Sequence, residues 1–227
     1  MTTVPLSILV PVLNEAAGIE ATLQALAPLR ARGAELIVVD GGSTDDTCAR
    51  ARLLADRLVE GPRGRARQMN AGAALARAPQ LLFLHADTRL PEAADRHIAA
   101  ALGTQALAWG RFDVLIDGRS RLLPVVATLM NHRSRWSGIA TGDQAMFMTR
   151  AAFDAVGGFP DQPLMEDIEL SIRLRRLAAP ACLRERVVTS GRRWEQRGVW
   201  RTIVLMWRLR LLYALGVSAD RLAPWYR

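Results

Sequence analysis

Three stretches of the chain carry side chains whose types and spacing could do chemistry. The apolar run Leu81-Leu82-Phe83-Leu84 ends abruptly in His85-Ala86-Asp87-Thr88. Too short for a typical helix, it reads as a buried strand of a parallel sheet that delivers polar groups to its carboxyl end, where open α/β sheets bind ligands. A carboxylate there is a hard oxygen ligand for Mg2+ or Mn2+, and the ion in turn neutralises phosphate oxygens. The plain alternative for Asp87 is a turn acid ahead of Pro91. Asp40 ends a second apolar run before Gly41-Gly42-Ser43-Thr44, where it could equally cap the turn. Further on, Glu166, Asp167 and Glu169 open a helix. The three carboxylates share its positive field yet repel one another, which can leave one with a raised proton affinity. Glu169 is also spaced for an exposed ion pair with Arg173.

These groups need elements to hold them. Leu6 to Val10 reads as a first strand, with Pro11 closing its ladder because proline has no amide hydrogen. Asn14 then caps a helix over about 15–30, with Ile19, Leu23 and Leu26 at helical spacing. Strands follow at Glu35–Val39, at Arg57–Glu60 and at the run ending in His85, with helices to about Ala55 and over 63–78 between them. A helix from Pro91 to Gly103 completes an alternation that predicts a doubly wound, mainly parallel sheet with helices on both faces. The second half is less regular: a strand over 106–116, a helix over 119–132, a strand over 144–149 and a short helix from Arg150 to Gly157-Gly158. A helix over 163–177, a strand over 183–189 and a helical tail over 199–215 follow. No Ser/Gly/Pro linker divides the chain, so the expectation is one domain over 1–227, with a nucleotide-binding half (1–105), an acceptor half (106–190) and the tail (191–227).

Composition narrows the function. The chain has 227 residues, half of them hydrophobic, and suits a folded α/β domain with a sizeable core. Its net charge of +8 comes entirely from Arg, because it contains no Lys. No basic reading helix or ribonucleoprotein motif accompanies that charge, so nucleic acid is not the expected partner. Arg does suit diphosphate, since its planar fork donates in pairs. Cys48 and Cys182 lack metal spacing and read as reduced packing residues. With no signal-like segment and no bilayer-length apolar run, the expectation is a cytoplasmic protein, at most peripheral to the inner face of a membrane. The turn after the first strand, Val10-Pro11-Val12-Leu13-Asn14-Glu15, has no G-x-G-x-x-G, and no Walker A sequence exists.

Taken together, V-P-V-L-N-E, V-V-D-G-G-S-T-D-D-T, G-x-A-x-x-x-N-x-G, the D-x-D-like H-A-D-T and the late E-D resemble the family 2 glycosyltransferases, over about Val4 to Arg176. The resemblance implies a GT-A-type fold and a metal-dependent, inverting transfer of a sugar from a nucleoside-diphosphate sugar, UDP by default, to an acceptor hydroxyl. The compact length and the L-H-A-D-T, G-D-Q and M-E-D-I-E-L stretches further resemble a small bacterial subgroup linked to radical-enzyme and selenium-domain neighbourhoods, some members of it to arsenosugar biosynthesis. By the same resemblance, Pro11, Asn14 and Glu15 line the nucleoside, Asp40 recognises the base, and Arg67 and Asn70 contact the nucleotide. Asp87 matches the last acid of D-x-D and holds Mn2+ or Mg2+. Asp167 matches the general base, with Glu166 beside it shaping the acceptor site.

His85 departs from the pattern, standing where D-x-D has its first acid. It is read as a nucleoside contact rather than a metal ligand. Asp143 is a further acceptor or donor-sugar contact, and Arg193, with Arg192 and Arg197 around Trp194, suits a clamp on the leaving diphosphate. The Q-x-x-R-W of processive synthases is broken here at Gln196-Arg197-Gly198-Val199-Trp200, which argues against a polymerase. Trp109, Trp136 and Trp194 could stack on sugar or pack the core. The tail helix either packs on its own domain or a second copy, as in a homodimer, or lies on a membrane surface to meet a lipid-linked acceptor. The competing functions are a non-catalytic sugar-nucleotide or membrane-surface binding protein on the same fold, and nucleotidyl transfer, which the absent glycine-rich first turn disfavours.

Overall fold

The computed structural model describes residues 5–226. Its centre is an eight-stranded sheet: β1 (Ser7–Val12), β2 (Glu35–Asp40), β3 (Arg57–Glu60), β4 (Gln80–Phe83), β5 (Thr88–Arg89), β6 (Trp109–Asp117), β7 (Phe147–Thr149) and β8 (Ala181–Ser190). They lie in the order β3-β2-β1-β4-β7-β6-β8-β5. The first four in that order are parallel, as the alternation predicts. β7 then runs antiparallel to both β4 and β6, and the parallel β6–β8 pair is finished by the antiparallel β5. The parallel, doubly wound arrangement therefore belongs to the first half, and the second half adds a mixed extension.

β1 and β2 sit between covered faces, which is why they read as continuous apolar runs. One cluster on one side of the sheet gathers Ile8, Val10, Leu36, Leu82 and Phe112. Another on the opposite face gathers Leu9, Ile37, Val39, Phe83 and Trp109. Helices α1 (Ile19–Ala25), α2 (Ala27–Ala31), α3 (Thr47–Arg52), α4 (Arg65–Leu75), α5 (Ala94–Leu102), α6 (Leu123–Ser137), α7 (Arg150–Ala155) and α8 (Glu166–Arg175) surround the sheet, with a 3-10 turn at Gly142–Gln144. After β8 come α9 (Arg192–Arg197), α10 (Val199–Ala214) and α11 (Ala219–Tyr226).

Several local expectations are corrected. Pro11 does not end β1, which continues to Val12 in register with Asp40. Leu9 accepts from Leu84 on the β4 side, and Pro11, two residues on, faces that same side beyond the end of β4, so its missing amide breaks no bond. Asn14 caps no helix. It sits at φ +55, and its side-chain oxygen accepts from the Thr44 amide at 2.8 Å, so the helical pattern begins only at Ile19 and breaks in two at Leu26. α4 is shorter than 63–78 because Gly64, at φ +129, starts it and Ala76 turns extended. β5, α9 and α11 went unread: β5 has two residues, while α9 follows directly on a strand with only Gly191 between.

Candidate active site

A cleft of about 710 Å3 opens at the carboxyl end of the parallel strands, bounded by the α8 start and the tail helices. Asp87 forms one wall. The chain leaves β4 through His85 and turns immediately into β5, which pairs Thr88 with Thr189 of β8. The Thr88 hydroxyl donates to that of Thr189 at 3.0 Å, and the Asp87 carbonyl accepts from Ser190 N–H at 3.2 Å. The short strand thus fastens Asp87 beside the end of β8, from which Arg192 and Arg193 emerge at the start of α9.

Glu15 faces the same space and is ion-paired with Arg192 at 3.4 Å. Burial raises its proton affinity, Arg192 opposes that, and repulsion from Asp87 adds to it. Arg193 lies over the Tyr226 ring at 4.4 Å and hydrogen-bonds the Tyr226 hydroxyl, while Arg197 donates to the Tyr226 carbonyl at 2.6 Å. The last helix of the tail therefore holds two arginines against the cleft. Burial, reinforced by Arg65 and Arg197, lowers the proton affinity of Arg193.

Asp167 stands on another wall, at the start of α8. Met165 adopts the left-handed conformation at φ +64, a strain of roughly 1–2 kcal/mol for a residue with a side chain. The Ser171 hydroxyl donates to the Asp167 carbonyl and accepts from Ala140 N–H, locking the helix to the loop before the 3-10 turn. Oδ2 of Asp167 accepts from Gly142 N–H at 2.8 Å and Oδ1 from Ile168 N–H at 2.8 Å. Burial and the adjacent Glu166 outweigh these bonds and raise its pKa to about 6. Glu166 is buried and faces Arg65 at 3.6 Å.

His85 and Asp143 meet between these walls, Nδ1 to Oδ1 at 3.1 Å. A carboxylate only accepts, so His85 donates through Nδ1. Nε2 is buried without a hydrogen-bond partner among the described residues. It is packed on Gly142, where a Cβ would fall 2.3 Å away, so the ring addresses the backbone of the 3-10 turn rather than open cleft. Burial alone would raise Asp143, but the bond from His85, with Arg65 and Arg193 further off, holds it below the usual range.

Of the residues picked from sequence, the structure brings Pro11, Glu15, His85 and Asp87 into the cleft from the first half. Asp143, Glu166, Asp167 and Arg193 join them from the second. Asn14, Asp40, Arg67 and Asn70 do not line it. Asp40 is buried and accepts from Gly42 N–H, Ser43 N–H and the Ser43 hydroxyl. Burial would raise it, but these bonds hold it below the usual range. Asn14 and Asp40 together clasp the loops after β1 and β2. Arg67 is paired with Asp161 at 2.6 Å, and the Asn70 amide brackets the Phe159 backbone. The cleft takes Arg65 instead, because two residues along a helix is about 200° of rotation, which sends Arg65 and Arg67 to opposite sides. Trp109 is buried and donates to Ala178, Trp136 is fully outside, and Trp194 lines the cleft.

Sequence reasoning missed Arg65, Arg133, Gly142 and Tyr226. Arg210 was not picked either; the available signal is a cation that breaks the amphipathic split of the tail helix, facing roughly with Ile203 and Met206.

The donor set bears on a metal. Among the described residues no three His, Cys, Asp or Glu side chains are grouped to hold an ion. A single strand-end carboxylate, repelled by Glu15 and flanked by arginines, fits an ion whose remaining ligands come from a diphosphate and water, the usual arrangement for Mg2+.

The sheet order and cleft define a GT-A glycosyltransferase fold, and solved structures agree. The mannosyltransferase PcManGT from Pyrobaculum calidifontis, in complex with GDP-Man and Mn2+, superposes with a TM-score of 0.68 over 99% of this chain and 68% of that one, at 20% identity. Glucosyl-3-phosphoglycerate synthase from Mycobacterium tuberculosis, in complex with Mn2+, UDP and phosphoglyceric acid, gives 0.60 over 82% and 69%, at 23% identity. Residues 7–156 match the model of glycosyl transferase family 2, and the chain belongs to that family. It is 32% identical over 174 residues to a "PGL/p-HBAD biosynthesis glycosyltransferase" of Mycobacterium tuberculosis (strain ATCC 25177 / H37Ra), matching over 67% of its own length and 62% of that relative's. The chain thus spans less than two thirds of the length of the curated relatives it matches.

Proposed function

We propose that this enzyme moves a sugar from a nucleoside-diphosphate sugar, UDP-linked by preference, to an acceptor hydroxyl with inversion at the anomeric carbon, and that it needs Mn2+ or Mg2+. The observation that carries the reading is the opposition of a strand-end Asp87, flanked by Arg192 and Arg193, to an Asp167 whose pKa is raised to about 6. Asp87 would hold the metal, which supplies charge neutralisation for the departing diphosphate. Arg192 and Arg193 add fixed positive charge where that group leaves. Asp167 takes the acceptor proton as the acceptor oxygen attacks from the face opposite the leaving group, and a raised pKa suits that role near neutrality. Glu166, paired with Arg65, sets the field around Asp167. Asp40, Asn14, Arg67 and Asn70 are assigned to the nucleoside end, outside the cleft proper.

The complexes of the neighbours with UDP, GDP-Man, Mn2+ or Mg2+ support the donor class and the ion. The L-H-A-D-T, G-D-Q and M-E-D-I-E-L stretches keep the subgroup likeness within this proposal. A thermal-shift panel of nucleotide sugars with and without Mn2+ tests it. Stabilisation by one donor that requires the ion is expected, and equal shifts with and without the ion would remove the metal from the reading.

The proposal extends to a peripheral membrane contact. No helix among the described residues is long and apolar enough to cross a bilayer. On α10, however, Trp200, Val204, Trp207 and Leu211 are exposed along one stripe that Leu215 continues just past its end, with Arg201 and Arg208 beside them, and no acid lies between Glu195 and Asp220. Indole, aliphatic and guanidinium groups without acids suit an anionic lipid surface.

A further inference from the structure

The inner side of the same tail carries a separate signal. Among the described residues, Nε and Nη2 of Arg133 on α6 and Nε of Arg210 on α10 are buried without a hydrogen-bond partner. Both side chains line the cleft. Guanidinium donors taken out of water and left unpaired are costly, and they are retained where a ligand completes them. Asp167 is a countercharge near Arg133, whose proton affinity is depressed by burial and by Arg111. That places Arg133 on the acceptor side, apart from the Glu15–Arg192 pair beside Asp87. The surrounding wall is apolar: Leu129 and Met130 of α6 face the cleft with Ile203, Met206 and Trp207 of α10. Leu129 and Trp207 are themselves exposed at its mouth and continue into the outward stripe of α10.

We infer that the acceptor is an acidic amphiphile, whose anionic head is taken by the unpaired guanidinium groups of Arg133 and Arg210 and whose hydrocarbon lies along Leu129, Met130, Ile203, Met206 and Trp207. Three buried guanidinium nitrogens without hydrogen-bond partners among the described residues call for acceptor oxygens, which an anion supplies best, and the apolar walls call for hydrocarbon next to it; a sugar has no such hydrocarbon. The inference rests on the reading of Asp167 as the acceptor base, since that is what makes this end of the cleft the acceptor end. A hydrocarbon entering past Leu129 and Trp207 would come from the side that carries the exposed stripe, so a lipid could reach the site without leaving its membrane.

The test is direct binding, by calorimetry, to the full chain with Mn2+ and saturating nucleoside diphosphate occupying the donor site. Octyl phosphate, 1-octanol and inorganic phosphate are the probes. Octyl phosphate is expected to bind at least about tenfold more tightly than either of the others, a difference that separates head and tail recognition from each alone. Arg133→Gln and Arg210→Gln should each erase its advantage over 1-octanol while leaving stabilisation by the nucleotide and Mn2+ in place. Equal binding of 1-octanol would overturn the acidic head, and equal binding of inorganic phosphate would overturn the hydrocarbon. Displacement of octyl phosphate by the nucleoside diphosphate, or an undiminished preference in both arginine variants, would also overturn the site. The sugar-transfer reading fails separately, through absence of any metal-dependent donor binding, and octyl phosphate bound as expected in that case would still support this site.

Discussion

The imidazole of His85 lies against the bare α-carbon of Gly142, so closely that a Cβ there would fall 2.3 Å from Nε2. The same Gly142 donates its amide to Asp167 at 2.8 Å. The strand end that carries Asp87 and the helix start that carries Asp167 are therefore linked through one residue without a side chain. His85, at the position where the family pattern has an acid, is part of that link.

Gly142→Ala should push His85 and the 3-10 turn apart. Overpacking of this kind costs about 1–3 kcal/mol. The loss of alignment at Asp167 should lower transfer further than stability alone explains. Chemical denaturation beside turnover checks this, and wild-type values for both would show that the contact yields freely.

Asp167→Asn should keep donor binding and lower transfer by about 10²–10⁴, the span typical for loss of a general base. Its effect on stability should run the other way. A carboxylate whose folded pKa is about 6, above the ordinary aspartate value of roughly 4, is penalised by folding once charged. That penalty is absent below about pH 4, grows between about pH 4 and 6 and is constant above; discounted for the part open to the cleft, it amounts to on the order of 1–2 kcal/mol. The Asn variant should therefore melt higher than wild type at pH 8 and no higher at pH 4.

The same shift predicts the pH profile. Transfer should rise with pH through about 6 with a slope of one, because only the ionised Asp167 accepts the proton. A flat profile from pH 5 to 8 would point to another base.

Asp87→Ala should abolish the Mn2+-dependent part of nucleotide stabilisation and leave the metal-free part, since among the described residues Asp87 makes no ion pair that holds the fold. Its backbone bond to Ser190 is kept in the variant. Thermal shifts with UDP, with and without Mn2+, separate the two contributions.

Trp200→Ser combined with Leu211→Ser should reduce flotation with anionic vesicles severalfold, as expected for burying less apolar surface. Both side chains point outward, 68% and 61% exposed, so melting temperature should hardly change. Undiminished flotation, or a dimer that the double variant dissolves, would assign the stripe to a different contact. Substitution is preferred to truncation because Arg193 and Arg197 lean on Tyr226 of the same tail.

Much of the first half was legible in the chain itself. β3 has the bounds its pattern announces, although as a half-exposed edge strand it is only partly apolar, and β2, buried along its whole length, extends one residue past its apolar run to take in Asp40. The acids at strand and helix ends were legible because polar groups interrupt a pattern of burial. Local sequence could not tell Arg65 from Arg67, or assign Asn70 to the Phe159 backbone, because both outcomes depend on what the other half of the chain places opposite α4. Nor could it see β5, whose two residues make a strand only because β8 lies beside them.

The sequence by itself determined the alternation of strand and helix in the first half, the family, and the places of Asp87, Glu166 and Asp167 at strand and helix ends, because each rests on local periodicity or on a motif of near neighbours. Only the tertiary structure decided that His85 rests on Gly142, that Tyr226 braces Arg193, and that Arg133 and Arg210 line the cleft with buried nitrogens that have no hydrogen-bond partner among the described residues. Those relationships join residues 33 to 77 positions apart, and what decides them is the volume and charge that folding leaves beside each group, which no local pattern records.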